Sequence, residues 1–536
     1  MWLHLVRIFS ILCLVLAMFS CANRGTPSGG EKDIEPPVII KSEPENFSTN
    51  FNSDEIRIYF NEYIKIKNIQ KQLIISPPMD TNPDIYPLGG ASKYISIKIK
   101  DTLEDNTTYA FNFGQSIVDN NEENPYPYYR YVFSTGNTID SLSVNGYVVD
   151  ALKEKPDTFI SVMLYPVDST YTDSIIYKEK PRYITNTLDS VTNFSIENIK
   201  AGTYKLIALN DKNGNFTFDQ KTEEIAFQES FITVPTDSTY KLKLFKEASD
   251  SKVLKPKQDG KTKLIFPYEG DYESIRIKVL LNKPEGYKYR VIKDETTDTL
   301  YYWYKPEFEA DTTMFKVTNE KFVDTFNHRF RSLEADTLVV KALTSGTLNF
   351  EQDFIITGTT PFSSIDTTKI NLMDKDSLNV PFQVEYDSIF NKYKFQIEKG
   401  EVQKYFFTML PETFTDFYGG VNKDTLNFNF RTKMESEYGN VRINLTNAKF
   451  PLIVQLVNEK GTVLYEKYTT EDPVVDFRNI APREYKLRVI FDSNENGKYD
   501  SGNFLLGKQP ERVSYSTPFE PVRASFDFVI DFPLLD

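Results

Sequence analysis

Ile56-Arg57-Ile58-Tyr59-Phe60 steps between apolar and more polar side chains. An extended chain with that rhythm turns one face to a core and the other to water, because successive strand side chains point to opposite sides. The rhythm returns in Tyr94-Ile95-Ser96-Ile97-Lys98-Ile99 and Tyr109-Ala110-Phe111-Asn112-Phe113. It returns again in Ser274-Ile275-Arg276-Ile277-Lys278-Val279 and Tyr393-Lys394-Phe395-Gln396-Ile397. Turn clusters separate these runs, and no stretch has the spacing of a long amphipathic helix. The chain therefore reads as all-β, a string of antiparallel sandwiches. Its 33 Tyr and 41 Phe suit half-buried strands. Its 536 residues suit three to five domains at roughly 100–200 residues each.

Internal repetition organises the string. Tyr204-Lys205-Leu206-Ile207-Ala208-Leu209-Asn210-Asp211 matches Tyr485-Lys486-Leu487-Arg488-Val489-Ile490-Phe491-Asp492, 281 residues on. The offset also relates Asn198-Ile199 to Asn479-Ile480. Past the match it relates Asp211, Asn213, Asn215 and Asp219 to Asp492, Asn494, Asn496 and Asp500. A weaker pair precedes each copy. Tyr109 to Phe113, followed by Tyr131 to Thr135, parallels Tyr405 to Phe407, followed by Leu426 to Thr432. The order is A–B–C–A′–B′.

Composition narrows the chemistry. The net charge is −14, which disfavours nucleic acid. There are two His and two Cys. That supply leaves no basis for histidine catalysis, Cys/His zinc sites or a disulfide framework. No nucleophile elbow or phosphate-cradling glycine loop occurs, so the expectation is a protein that is not an enzyme.

Residues 1–20 read as a signal peptide: Arg7 precedes the apolar run Ile8–Phe19, too short to span a bilayer as a helix. The run ends in Met18-Phe19-Ser20-Cys21, which resembles a lipobox; the resemblance implies that Cys21 is lipidated and anchors the mature chain in an outer membrane. Residues 21–35 form a Gly/Pro/Ser tether, expected to be flexible. With Pro36-Pro37 it resembles the start of Bacteroidota lipoproteins that continue into an Ig-like domain, and the surface-exposed face is the expected one.

The module at 36–137 resembles the bacterial Ig-like domain of surface-layer proteins, through Pro36-Pro37-Val38-Ile39, Ile56 to Glu62 and the closing Tyr131-Val132-Phe133-Ser134-Thr135-Gly136. Modules 142–247 and 438–536 resemble transthyretin-like or carboxypeptidase-regulatory-like sandwiches, through Asn-Ile, a turn and Tyr-Lys-Leu. Between them lie a sandwich of uncertain type at 250–345 and a weak repeat of the first module at 346–437. Such families supply scaffolding and recognition, so the resemblance implies binding.

Three sets of residues are candidates for specific chemistry. Asp211, Asn213, Asn215 and Asp219, with Asp492, Asn494, Asn496 and Asp500, place side-chain oxygens at positions 1, 3, 5 and 9 of a turn. This resembles the opening of calcium loops. The terminal Glu of such a loop is replaced by Thr222 and Asn503, and Asx-stabilised hairpins account for the same residues. Both readings stand at this point. Asp-Ser/Thr-aliphatic triplets, such as Asp101-Thr102-Leu103, Asp189-Ser190-Val191, Asp336-Thr337-Leu338, Asp376-Ser377-Leu378 and Asp424-Thr425-Leu426, resemble the Bacteroidota O-glycosylation acceptor. The aromatic clusters Tyr301-Tyr302-Trp303-Tyr304 and Tyr126-Pro127-Tyr128-Tyr129 suit core packing, or stacking on sugars where exposed. His328 reads as a surface or strand residue.

These features point to a non-catalytic outer-membrane lipoprotein. It is expected to bind other envelope proteins as a scaffold or accessory subunit, in an assembly or transport complex. The alternative is a carbohydrate-binding or adhesive surface protein. No cofactor is required, and calcium is the one cation the loops suit.

Overall fold

The computed structural model describes residues 32–187, 191–319 and 322–534. The expected signal peptide, Cys21, the tether as far as Glu31 and Asp189-Ser190 lie outside the described residues. Helix within them amounts to one α-helical turn, Ile69–Gln72, and three short 3-10 turns. No helix among the described residues is long and apolar enough to cross a membrane. The fold is all-β, in tandem sandwiches.

Five successive units each have their own sheets. In the first, Ile39–Glu43, Glu55–Ile66, Ser92–Lys98 and Asp84–Tyr86 run side by side. They pack on Ile74–Ser76, Thr108–Asn112 and Arg130–Ser134. Ile56 pairs with Ile97 and Ile58 with Ile95, which puts all four on the inner face, fully buried. Phe111, Tyr131 and Phe133 fill the gap from the facing sheet. Each such side chain contributes about 1.5–3 kcal/mol.

The fourth unit repeats this order. Val340–Ala342, Phe354–Gly358, Lys392–Ile397 and Phe382–Asp387 pack on a sheet of Gly346–Thr347, Leu426–Arg431, Lys404–Met409 and Ile370–Met373. In the first unit the long strand Glu55–Ile66 leaves Ser92–Lys98 and goes on to pair with Ile117–Asp119. In the fourth the same path is split into Phe354–Gly358 and Phe362–Ile365, the latter pairing with Phe414–Asp416. Val340–Ala342 falls within the 250–345 range read as the third module, yet it pairs with Phe354–Gly358. The divide between units three and four therefore lies between Arg329 and Val340, since non-local pairing decides membership of a sheet and local alternation does not.

Units two and five also share a topology. Leu142–Asp150 lies between Asn193–Ile199 and Thr239–Leu244, the last pairing with it in parallel. Gly439–Thr446 lies between Val474–Ile480 and Asp527–Pro533 in the same way. The facing sheets are Tyr183–Asn186, Ser161–Pro166, Gly202–Leu209 and Ile225–Phe227, and Val463–Thr469, Leu452–Val457, Lys486–Phe491 and Val513–Tyr515.

The repeated phrase is explained residue by residue. Asn198 and Asn479 have φ of 59° and 52°, the left-handed region that Asn tolerates, beside irregularities in strand register. Ile199 and Ile480 enter the two cores. The Tyr204 hydroxyl donates to the Lys200 carbonyl at 3.0 Å, and the Tyr485 hydroxyl to the Ala481 carbonyl at 2.6 Å. Each ties its strand back to the turn four residues before it, as tyrosine corners do.

The third unit packs Lys263–Glu269, Thr299–Lys305 and Lys288–Lys293 on Arg276–Val279, Thr312–Thr318 and Val323–Arg329. Its centre is edge-on packing of Phe266, Tyr302 and Phe315. Tyr302, Trp303 and Tyr304 are buried here, so most of that cluster is core.

Candidate functional site: the paired Asp/Asn loops and their seam

Each loop follows the central strand of its unit. In the first, the Asp211 carboxylate accepts the backbone N–H of Gly214 at 2.7 Å and of Phe216 at 2.9 Å. Asn213 and Asn215 each accept the N–H two residues on, at 3.2 and 2.9 Å. In the second, Asp492 is almost fully buried and accepts from Asn496 at 3.1 Å and Gly497 at 2.7 Å. The Asn494 and Asn496 amides both donate to Asp500. The sixth residue of each loop, Phe216 or Gly497, has positive φ, 60° and 72°. Calcium loops place a glycine at this sharp turn; the first copy bends a phenylalanine there instead.

Both loops are closed by a glutamate. Glu223, fully buried, accepts from Lys212 N and Asp219 N, each at 3.0 Å. Glu511 accepts from Ser493 N at 2.7 Å and Asp500 N at 3.0 Å. These are equivalent places, one residue after the first aspartate and the ninth loop position. Burial pushes the Glu223 carboxyl up, with Asp211 and Asp219 adding to the shift, while backbone and hydroxyl donors hold Asp219 down. In the sequence Glu223 and Glu224 lie just past Thr222 and either could stand in for the terminal acid, whereas no acid lies beside Asn503 and Glu511 goes unseen. The constant offset carries Glu223 onto Phe504, because a hairpin closed by the Asn503–Lys508 bridge is inserted in the second copy. Among the described residues, no three His, Cys, Asp or Glu side chains are grouped to hold a metal ion. As they stand, the eight predicted residues form two hydrogen-bonded turns of matching design.

The inserted hairpin is a lock between the repeats. Phe504, buried, joins the outer core of the second unit with Phe227, Phe245, Met163 and Tyr165. Its ring meets Phe227 edge-on at 5.2 Å. Its N–H donates to Glu247 at 2.5 Å, and Ser501 donates to the Lys246 carbonyl. Lys205, the lysine of the repeated phrase, is buried beneath three rings, with Nζ 5.3–5.7 Å from Phe227, Phe231 and Phe504. Burial lowers its pKa and raises that of Glu247. The opposite side is fastened by Lys486 to Glu154 at 2.5 Å and by the Tyr515 hydroxyl to the Leu152 carbonyl at 2.7 Å. The first loop also pairs with the third unit, Lys221 to Glu269 at 3.1 Å, and the second loop with it through Lys498 to Glu273 at 2.5 Å.

Other predicted features lie apart. Tyr129 is buried and Tyr128 is 46% exposed. Thr102, Thr337, Ser377 and Thr425, hydroxyl residues of the acceptor-like triplets, are exposed. His328 is on a strand, as expected, but is buried there.

The bacterial Ig-like domain family matches residues 33–135, the first sandwich. No curated protein matches the chain. Among solved structures, surface layer protein SbsC, domains 1–6, is 11% identical, covering 91% of this chain and 67% of that one, with a TM-score of 0.16. A tandem from titin is 8% identical over 53% of this chain and 100% of its own, with a TM-score of 0.13. The major pilin subunit of Bacillus cereus is 12% identical over 73% of this chain and 99% of its own, also at 0.13. Overlaps this loose carry no argument; the sandwich assignment rests on the strands themselves and on the family match.

Proposed function

We propose that the chain is a non-catalytic surface protein, anchored in an outer membrane through lipid on Cys21, whose sandwiches bind other proteins of the envelope. One observation carries this reading. The most distinctive polar and aromatic residues, the Asp/Asn loops, Lys205, Arg488 and the Tyr301–Tyr304 cluster, are spent on cores and on seams between units, as a recognition scaffold requires. The Ig-like match supports the same class, and the lipobox-like Met18 to Cys21 supports the anchor. The finer identity is that of a Bacteroidota lipoprotein with transthyretin-like second and fifth modules and glycans on the exposed Asp-Ser/Thr triplets. The test is Cys21→Ser in the native host: the variant leaves the membrane fraction or retains its signal peptide. A native amino terminus cut elsewhere and free of lipid overturns the anchor.

Calcium at the loops is the second reading. It is supported by the matched glutamates Glu223 and Glu511, which supply a terminal acid to oxygens at positions 1, 3, 5 and 9. Those oxygens would hold the cation, and its part would be to stiffen the hairpins.

A further inference from the structure

Units one and two meet along two sheet edges, Ile74–Ser76 and Tyr183–Asn186, and over this junction lies a groove of about 370 Å³. That is within the roughly 300–1,000 Å³ of small-ligand sites. Its floor is apolar, from Ile74, Ala110 and Ile184. Its walls are polar, with amides from Asn112, Asn186 and Asn193, of which Asn186 already donates to the Lys71 carbonyl at 3.4 Å. The Asn193 side chain and the Asn112 Nδ2 have no protein partner among the described residues. At the mouth stands Tyr128. Its φ is +54°, uncommon for a non-glycine, and such strain concentrates where a side chain is being aimed. Gln115 donates to its hydroxyl at 2.9 Å, which pins the ring while leaving it exposed.

The chemistry selects among ligands. The groove's two charges, Arg130 and Glu197, are paired with each other, and Arg130 also donates to Asn198 at 2.6 Å. Nothing is left over to hold a phosphate or a carboxylate. A peptide strand cannot join the facing edges, because Ile184 N already donates to the Ser76 hydroxyl across them at 3.1 Å. An apolar floor, an aromatic plane and unpaired amides match a molecule with one apolar face and a rim of hydroxyls. We propose that this groove binds a neutral saccharide, with Tyr128 stacking on a sugar ring and Asn112 and Asn193 engaging its hydroxyls. The proposal deepens the function above and rests on the chain's being a binding protein of the cell surface; failure at Cys21 and failure here are read by different measurements.

The test is native electrophoresis of the full chain through gels containing dextran, laminarin, arabinoxylan or galactomannan. At least one neutral polysaccharide slows the wild type. Tyr128→Ala weakens that retardation about tenfold and Asn193→Ala about threefold, the loss of one ring contact and of one or two hydrogen bonds. Both positions are exposed, so both variants keep the wild-type melting temperature. Passage unhindered by all four gels overturns the proposal, and so does retardation that both variants retain. Retention on an extended-peptide resin, abolished by the same substitutions in place of saccharide binding, assigns the groove to a peptide and also overturns it.

Discussion

His328 packs edge-on against Phe330 at 5.0 Å, and its Nε2 is buried with no hydrogen-bond partner among the described residues. Burial, with Arg331 and Lys255 nearby, holds its pKa below the usual 6.5. The folded chain therefore resists a proton that the unfolded chain accepts. Its stability is complete above about pH 6.5 and falls as the pH drops through the folded pKa. His328→Gln removes that loss, so the melting temperature of the variant gains on the wild type between pH 7 and pH 5. A constant difference across that range contradicts the assignment. Gly146 is the second residue whose surroundings leave no slack. A Cβ there would overlap the Tyr240 carbonyl and the Phe194 ring, between a parallel strand and the core. Gly146→Ala is expected to cost about 1–3 kcal/mol by overpacking, measured by denaturant unfolding.

At the scale of elements, the two loops are the test of repetition. Asp492 is buried and holds two N–H groups, so Asp492→Ala leaves those donors unmet and costs about 1–3 kcal/mol. Asp211 is partly exposed, and its replacement costs less. If calcium binds, millimolar calcium raises the melting temperature of the full chain, and the rise disappears in Asp211→Ala combined with Asp492→Ala. Equal melting in calcium and in chelator leaves two Asx-turn hairpins and no metal. Much of this was legible beforehand. Period-2 alternation located strands such as Glu55–Ile66, where Ile56 and Ile58 point inward and Arg57 outward, because the pleat is local. The 281-residue offset found both loops. Glu511 is hidden because a seven-residue shift after Asp500 breaks the offset. The strand Val340–Ala342 was misassigned because its partner, Phe354–Gly358, is chosen by the core of another unit. Nothing in the sequence links Tyr128 to Asn193, since a groove between two modules leaves no periodic trace in either.

For the whole molecule the decisive feature is that the second unit holds the fifth. Phe504 reaches a core built by residues more than 250 positions earlier, and Lys205, Glu247 and Glu154 meet residues of the same distant module. Removing the ring in Phe504→Ala forfeits about 3–5 kcal/mol of burial. The expected result is a second calorimetric transition, as the fifth unit melts apart from the second, with the core strands of each retaining their hydrogen-exchange protection. A scaffold that binds envelope proteins must keep this internal seam while touching other chains. Zero-length carbodiimide cross-linking in native membranes, read by mass spectrometry, reports both at once. The account predicts an intrachain link between Glu154 and Lys486, together with reproducible links from this chain to other envelope proteins. Recovery of intrachain links alone would contradict it.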